Sequence, residues 1–253
     1  MLRSRVIPCL LVHDDGLIKT VNFKFDKYIG DPLNAVKIFN EMEVDELFVL
    51  DIDKSVKSEQ INMNFIKSIA DECRMPLCYG GGIKTLDEAI SIISLGVEKI
   101  SLSSGIIENF ELCHKISEVI GKQSLVLVID VKKNFWNKKY HVYTHNGKVK
   151  SNYSLNDIID IIPKLSVGEV VINSIDRDGT MSGYDYDLVS LVYSKLKIPV
   201  TILGGAKNYN DIKNLLDYYK LIGAAAGSAF IYNGRFKAVL INYPDKEFRK
   251  LNK

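Results

Sequence analysis

Long apolar runs are missing from this sequence. None reaches the roughly 18 residues that suggest a membrane-crossing helix, so no membrane association is expected. Residues Met1 to Leu11 lack the basic n-region, apolar h-region and small-residue cleavage site of a signal peptide. An excess of charge of one sign is missing as well: a net charge of +2 over 253 residues gives no electrostatic footprint for nucleic acid. Cysteine is sparse, with only Cys9, Cys73, Cys78 and Cys113, and there is no CxxC pair or Cys/His cluster. Cys9 and Cys78 fall in predicted buried strands and Cys113 in a predicted helix. Reduced structural thiols in a cytoplasmic protein follow, with no metal and no cofactor expected. What is present is ordinary globular composition, 47% hydrophobic and 25% charged. The length is common for one α/β barrel and also suffices for two small domains.

Short apolar runs alternate with longer segments of helical period. The predicted strands are Val6–Val12, Glu46–Leu50, Pro76–Tyr79, Lys99–Leu102, Leu125–Val131, Glu169–Asn173, Val200–Leu203 and Leu221–Ala225. They are rich in Val, Ile and Leu without alternation, as parallel strands covered on both faces are. Between them, Asp31-Pro32 opens one helix as N-cap and N1 residue, and the segment Asp87–Leu95 stops at Gly96. Eight strands with intervening helices predict a (β/α)8 barrel. One insertion breaks the rhythm: Lys139–Tyr143 and Lys148–Lys150 flank His145-Asn146-Gly147, which predicts a β-hairpin after the fifth strand.

An internal repeat organises the rest. Glu169 follows Glu46 by 123 positions, as Asp176 follows Asp53 and as Gly204-Gly205-Ala206-Lys207 follows Gly81-Gly82-Ile83-Lys84. Gly227-Ser228 follows Ser103-Ser104 at an offset of 124. The chain therefore reads as a single barrel of two (β/α)4 halves, about 1–123 and 124–253.

Each half ends with a strand running into a Gly-rich turn, then a strand running into a small-residue turn. Small residues let backbone N–H groups approach an anion, and a following helix N-terminus favours negative charge. Gly81, Gly82, Ser103 and Ser104 in the first half, with Gly204, Gly205, Gly227 and Ser228 in the second, are candidate phosphate-binding residues. A single Gly-Gly would more simply permit a tight βα turn; two registered copies favour an elongated ligand with a phosphate at each end. Between them Asp51, Asp130 and Asp176 close predicted strands two, five and six, where eight strand ends converge on one pocket. Burial beside other carboxylates raises a carboxyl pKa toward the range of acid–base work. For Asp51, capping is an equal alternative. Lys19, placed in the loop after strand one, is a candidate for binding substrate charge. At the opposite end Arg5, Glu46, Lys99 and Glu169 enter four buried strands. Unpaired buried charges are costly, so a ring of ion pairs at the barrel floor is expected, either as a plug or as a gate.

With these residues in place, the sequence resembles the cyclase subunit of imidazole glycerol phosphate synthase over nearly its full length. The resemblance is carried by Met1–Cys9, Lys19 with Asn22-Phe23, Gly30-Asp31-Pro32, Asp45-Glu46-Leu47, Tyr79–Ile83, the run from Ser174 to Asp185, and Gly204–Ala206. It implies that a glutaminase partner docks at the floor and that ammonia passes the Arg5, Glu46, Lys99, Glu169 gate. At the rim ammonia meets a ribulosyl formimino bisphosphate, giving imidazole glycerol phosphate and aminoimidazole carboxamide ribotide. Two carboxylates act as acid and base without a metal, and Asp178 and Gly179 join the phosphate-binding set. The floor ring sets the chain apart from the sister isomerase with the same repeat.

The sequence departs from that family at three points. The strand-one catalytic aspartate is replaced by Leu11 in Cys9-Leu10-Leu11-Val12, leaving Asp130 as the matching acid, with His13, Asp14 or Asp15 as loop residues nearby. Ser103-Ser104 stand where an Asn-Thr pair is usual, and Pro8 interrupts strand one. Divergent paralogues of this kind act with a glutaminase and a separate amidotransferase that makes acetamidino sugars for surface polysaccharide. The resemblance thus leaves two roles: cyclase, or a barrel that passes ammonia to a third protein.

Overall fold

The computed structural model describes residues 3–57, 59–245 and 248. Eight strands run side by side: β1 (Arg5–His13), β2 (Leu47–Asp51), β3 (Leu77–Gly80), β4 (Lys99–Leu102), β5 (Leu125–Lys133), β6 (Glu169–Ser174), β7 (Val200–Leu203) and β8 (Ile222–Ala226). Every barrel neighbour is parallel, β8 pairs with β1, and β5 pairs with β6, so the sheet closes on itself. The helices α1 (Pro32–Glu41), α2 (Met63–Glu72), α3 (Leu86–Ser94), α4 (Phe110–Ile120), α5 (Leu155–Ile161), α6 (Tyr186–Lys195), α7 (Tyr209–Tyr218) and the short α8 (Ser228–Ile231) each follow one barrel strand. The chain is a (β/α)8 barrel. Among the described residues no helix is long and apolar enough to cross a membrane.

Local chemistry explains the element ends. The Asp31 carboxylate accepts from Asn34 N, with Pro32 at the first helical position of α1. Thr85 and Glu88 form a capping box on α3, and Gly96 takes φ +98° just after its end. Strand side chains alternate, so each strand feeds two cores. The larger lies between sheet and helices. The smaller fills the lumen with Ile7, Cys9, Phe48, Cys78, Val126, Val128, Val171, Leu203 and Ala225.

The expected hairpin is present: Tyr140–Thr144 pairs antiparallel with Val149–Ser154, and β5 continues upward as its partner, Asp130 opposite Tyr143 and Lys133 opposite Tyr140. A second hairpin, Gly16–Val21 with Lys24–Gly30, follows β1 and was not anticipated. Its turn residues Asn22 and Phe23 take φ +51° and +62° without a glycine, a conformation that is costly for a bulky side chain. Tertiary contacts hold it: Asn22 N donates to Asp178 O at 2.9 Å, and Phe23 N to the Asp178 carboxylate at 3.1 Å. Strand eight starts at Ile222, one residue later than expected, because Leu221 sits at φ +61° in the preceding turn.

Candidate active site

At the floor, the first residues of β1, β4 and β6 are Arg5, Lys99 and Glu169, and Glu46 immediately precedes β2. The structure brings all four together. Arg5 bonds both carboxylates, Glu46 and, at 2.7 and 3.1 Å, Glu169. Lys99 Nζ reaches Glu46 at 2.7 Å and Glu169 at 2.9 Å. Each anion thus touches each cation in a closed circuit. Thr201 Oγ1 donates to Glu169 at 2.6 Å and fills a remaining lone pair. Burial opposes ionisation of Glu169, yet Arg5, Lys99 and Thr201 outweigh it and hold the carboxyl below its ordinary value. Burial likewise disfavours the Arg5 and Lys99 cations, and the two glutamates reverse that. Such mutual satisfaction is the condition on which a buried charge cluster is tolerated.

At the rim lies a cavity of about 200 Å³. Asp130, Asp51, Lys19, Leu11, Asp178, Gly81, Gly82, Ser103, Ser104 and Gly227 all line it. Asp130 faces inward from β5, accepts from Asn173 Nδ2 at 2.9 Å, and has its pKa pushed up to about 7. Burial is the main cause, the Asp178 charge adds to it, and the bonds from Asn173 and Ser103 partly offset it. Asp51 also titrates above its ordinary value through burial, but it accepts from Asp53 N at 3.0 Å and Lys54 N at 3.4 Å. It caps the turn after β2.

Several expectations need correction. Lys19 is not in a loop: it lies in the Gly16–Val21 strand, 3% exposed, donating to Cys9 O at 3.0 Å. Burial lowers its proton affinity. Asp176 does not close strand six, which ends at Ser174, and it does not line the cavity; its carboxylate accepts from Lys133 N at 2.7 Å. Asp178 takes the inward place instead, and its half-buried carboxylate accepts from Thr20 Oγ1 at 2.6 Å and from Phe23 N. A carboxylate repels phosphate, so its fit is to proton transfer or to a cation. Gly179 is needed for packing, since a Cβ there would run into Thr20 O. Gly204, Gly205 and Ser228 also lie outside the cavity lining. Gly205 O accepts from Gly183 N at 2.8 Å, which joins two rim loops. Gly81 and Gly82 take φ +132° and +73°, and a Cβ on Gly81 would meet Asp51, so packing alone already demands glycine.

The loop beside Leu11 offers no replacement acid. His13 Nδ1 is 2.7 Å from Asp53, Lys57 Nζ is 2.7 Å from Asp14, and none of these lines the cavity. His13, Asp14 and Asp53 could together hold a metal ion, but the Lys57 ammonium already lies between the two carboxylates. Residues not anticipated complete the wall: Thr20, Phe23, Ser101, His145, Asn146 and Asn173. The Asn146-Gly147 turn reaches across the mouth. His145 N donates to Ser104 Oγ at 2.9 Å and Asn146 Nδ2 to Ile52 O at 2.6 Å.

A closed barrel with an ion-paired floor, an apolar lumen and an acid-bearing rim cavity defines a (β/α)8 protein with its candidate site at the face where such barrels carry theirs. Known proteins sharpen this. A family described as histidine biosynthesis protein matches residues 5–237. The chain is 52% identical over 250 residues to a Vibrio vulnificus protein provisionally named imidazole glycerol phosphate synthase subunit hisF3, covering 99% of this chain and 96% of that one. It is 48% identical over 247 residues to a Leptospira interrogans protein named provisionally as subunit HisF, covering 98% and 97%. It is 35% identical over 232 residues to imidazole glycerol phosphate synthase subunit HisF of Lactococcus lactis, covering 92% and 90%. The chain belongs to the histidine biosynthesis protein family as a HisF-type imidazole glycerol phosphate synthase subunit.

Proposed function

We propose that this subunit receives ammonia at its floor from a glutaminase partner and delivers it through the barrel to a phosphate-bearing acceptor at the rim. In the synthase reaction the acceptor is a ribulosyl formimino bisphosphate, and the products are imidazole glycerol phosphate and aminoimidazole carboxamide ribotide. The observation that carries the reading is the floor circuit of Arg5, Glu46, Lys99 and Glu169 beneath an apolar lumen. A charged ring shuts the lumen to water and ions, and one swung side chain opens it to a small neutral molecule. Above it Asp130, with a pKa of about 7, is half protonated near neutrality and can give or take a proton. Gly81, Gly82, Ser103 and Ser104 belong to the cavity wall and are the candidates for one phosphate, and Gly204, Gly205, Gly227 and Ser228, just beyond the ends of β7 and β8, are the candidates for a second. The hairpins after β1 and β5 support the reading of two half-barrels, 1–123 and 124–253.

Lys99→Ala and Glu169→Ala in the glutaminase complex test the gate. Both are expected to leave glutamine hydrolysis running while less of its ammonia reaches product. Unchanged coupling in both removes the gate.

One observation favours a second reading. Leu11 lines the cavity where a proton-transferring group is needed, and Leu exchanges no proton. On this reading the barrel passes ammonia to a separate amidotransferase that converts an acetamido sugar to an acetamidino sugar for surface polysaccharide. Purified chain with ammonium salt and the formimino bisphosphate separates the two: robust cyclisation supports the synthase, and none supports the conduit.

A further inference from the structure

Above the floor circuit the lumen offers few hydrogen-bond partners to a molecule moving upward. Ile7, Phe48, Val126 and Val171 give way to Val128, Leu203 and Ala225, and Ser101 is hydrogen-bonded to the Cys78 thiol. The next polar group is Asn173, on the inner face of β6 four residues above the gate's Glu169. It is 6% exposed and lines the rim cavity. Its Nδ2 donates to Asp130 at 2.9 Å, which fixes the amide so that Oδ1 points away from that carboxylate. Oδ1 is buried and has no hydrogen-bond partner. A Cβ on Gly204 would stand 3.3 Å from it, so any side chain there would crowd this oxygen. A buried acceptor without a donor costs about 1–3 kcal/mol, and a ligand carrying N–H groups recovers that cost.

We propose that Asn173 and Asp130 form a holding site for ammonium at the top of the barrel interior. This rests on the reading that ammonia travels through the lumen. The charge around the site fits a cation: Asp130, Asp178 and Asp51 line the cavity, with Lys19 turned onto Cys9 O and Lys84 also in the wall. Ammonia reaching protonated Asp130 takes its proton, giving an ammonium carboxylate pair whose remaining N–H groups include one for Asn173 Oδ1. Return of that proton to Asp130 frees neutral ammonia for the acceptor and restores the acid. The site keeps ammonia at the exit until an acceptor arrives, and it does so without a second acid at position 11.

The test uses the chain alone. The Asn173 side-chain amide of ¹⁵N-labelled protein is followed by NMR during titration with ammonium chloride, at a pH above the Asp130 value of about 7. Tetramethylammonium chloride, which has no N–H, is the control for ionic strength. A saturable shift with ammonium only is expected, with the dissociation constant raised about tenfold in Asp130→Asn. Crystals soaked in rubidium, a close match to ammonium in size, should show an anomalous peak beside Asn173 Oδ1 and Asp130. That peak should disappear with added ammonium and in Asn173→Leu. Identical drift with both salts, no rubidium peak in the wild type, or a peak that survives Asn173→Leu overturns the site. No glutaminase is involved, so these outcomes are independent of the coupling assay: intact coupling without an ammonium site sinks this proposal alone, and an ammonium site without coupling sinks the gate alone.

Discussion

Removing Lys99 asks whether the floor circuit holds the fold together as well as closing it. In Lys99→Ala, Glu46 and Glu169 each lose one partner, at 2.7 and 2.9 Å. Their side chains are only 3% and 4% exposed, so water does not replace the lost ammonium. Breaking one partner out of a buried ionic cluster costs about 3–5 kcal/mol. Arg5 still bridges both carboxylates, and Lys99 itself is 20% exposed, so the lower end applies, about 3 kcal/mol. For a chain of this length that lowers the Tm by about 6–12 °C. The pH dependence separates electrostatics from lost packing. Glu169 has a depressed folded pKa, so in the wild type its contribution is fully present above the unfolded glutamate value of about 4.3 and is lost as the pH falls through the lower folded value. In the variant the folded pKa of Glu169 rises, and less stability remains to be lost on acidification. The gap between wild type and variant should therefore narrow as the pH falls through about 4. Urea melts at neutral pH and near pH 4 measure it. A gap below about 1 kcal/mol at neutral pH, or one that stays constant on acidification, refutes the reasoning.

Asp130→Asn is expected to lower any ammonium-dependent turnover by about 100-fold or more. If Asp130 is the base, wild-type kcat/KM rises through a pH of about 7; a rate independent of pH between 6 and 8 excludes that role. The sole tryptophan, Trp136, is 87% exposed at the tip beyond β5, edge-on to Phe135. Trp136→Ala should change stability by less than about 0.5 kcal/mol, and native tryptophan emission should already lie near its unfolded position; a blue-shifted native spectrum would contradict that exposure.

How much of this was legible in the sequence turns on strand parity. The gate residues Arg5, Lys99 and Glu169 mark the inward face of β1, β4 and β6. Counting upward by two from Glu169 passes Val171 and arrives at Asn173; counting from Arg5 passes Ile7 and Cys9 and arrives at Leu11. The same rule on β5 runs from Val126 through Val128 to Asp130. Asp51 and Asp176 fall on the opposite parity from Phe48 and Asn173, and the structure uses both to hold backbone N–H groups. Proximity to a strand end pointed to all three aspartates; parity picks out Asp130 and finds Asn173. The hairpin after β5 was readable because Asn146-Gly147 has an intrinsic preference for its turn. The hairpin after β1 was not, because Asn22-Phe23 has little such preference and is held by Asp178, more than 150 residues away. That hairpin makes Lys19 a buried strand residue, so its environment could not be read from its neighbours in the chain.

The same parity makes Leu11 the informative position for chemistry. It lies on the inner face of β1, two residues above Cys9, and lines the cavity with Asp130 and Asp178. Leu11→Asp therefore adds a third inward acid to a cavity in which Lys19, a lining lysine, has its charged form already disfavoured by burial. A new anion here raises the Asp130 pKa further above its value of about 7, since like charges in one site disfavour joint ionisation. The variant should lose about 1–3 kcal/mol of stability at neutral pH, with the loss shrinking as the pH falls and the added carboxyl is protonated. If position 11 alone separates this chain from a cyclase, the variant gains ammonium-dependent conversion of the formimino bisphosphate that the wild type lacks. A folded, acid-stabilised variant with no gain would place the difference elsewhere in the rim, at Ser103-Ser104 or in the Asn146-Gly147 turn lying across the mouth. A wild type that already turns over would show that the inward acids already present, Asp130 held by Asn173 and Asp178, are sufficient for the reaction.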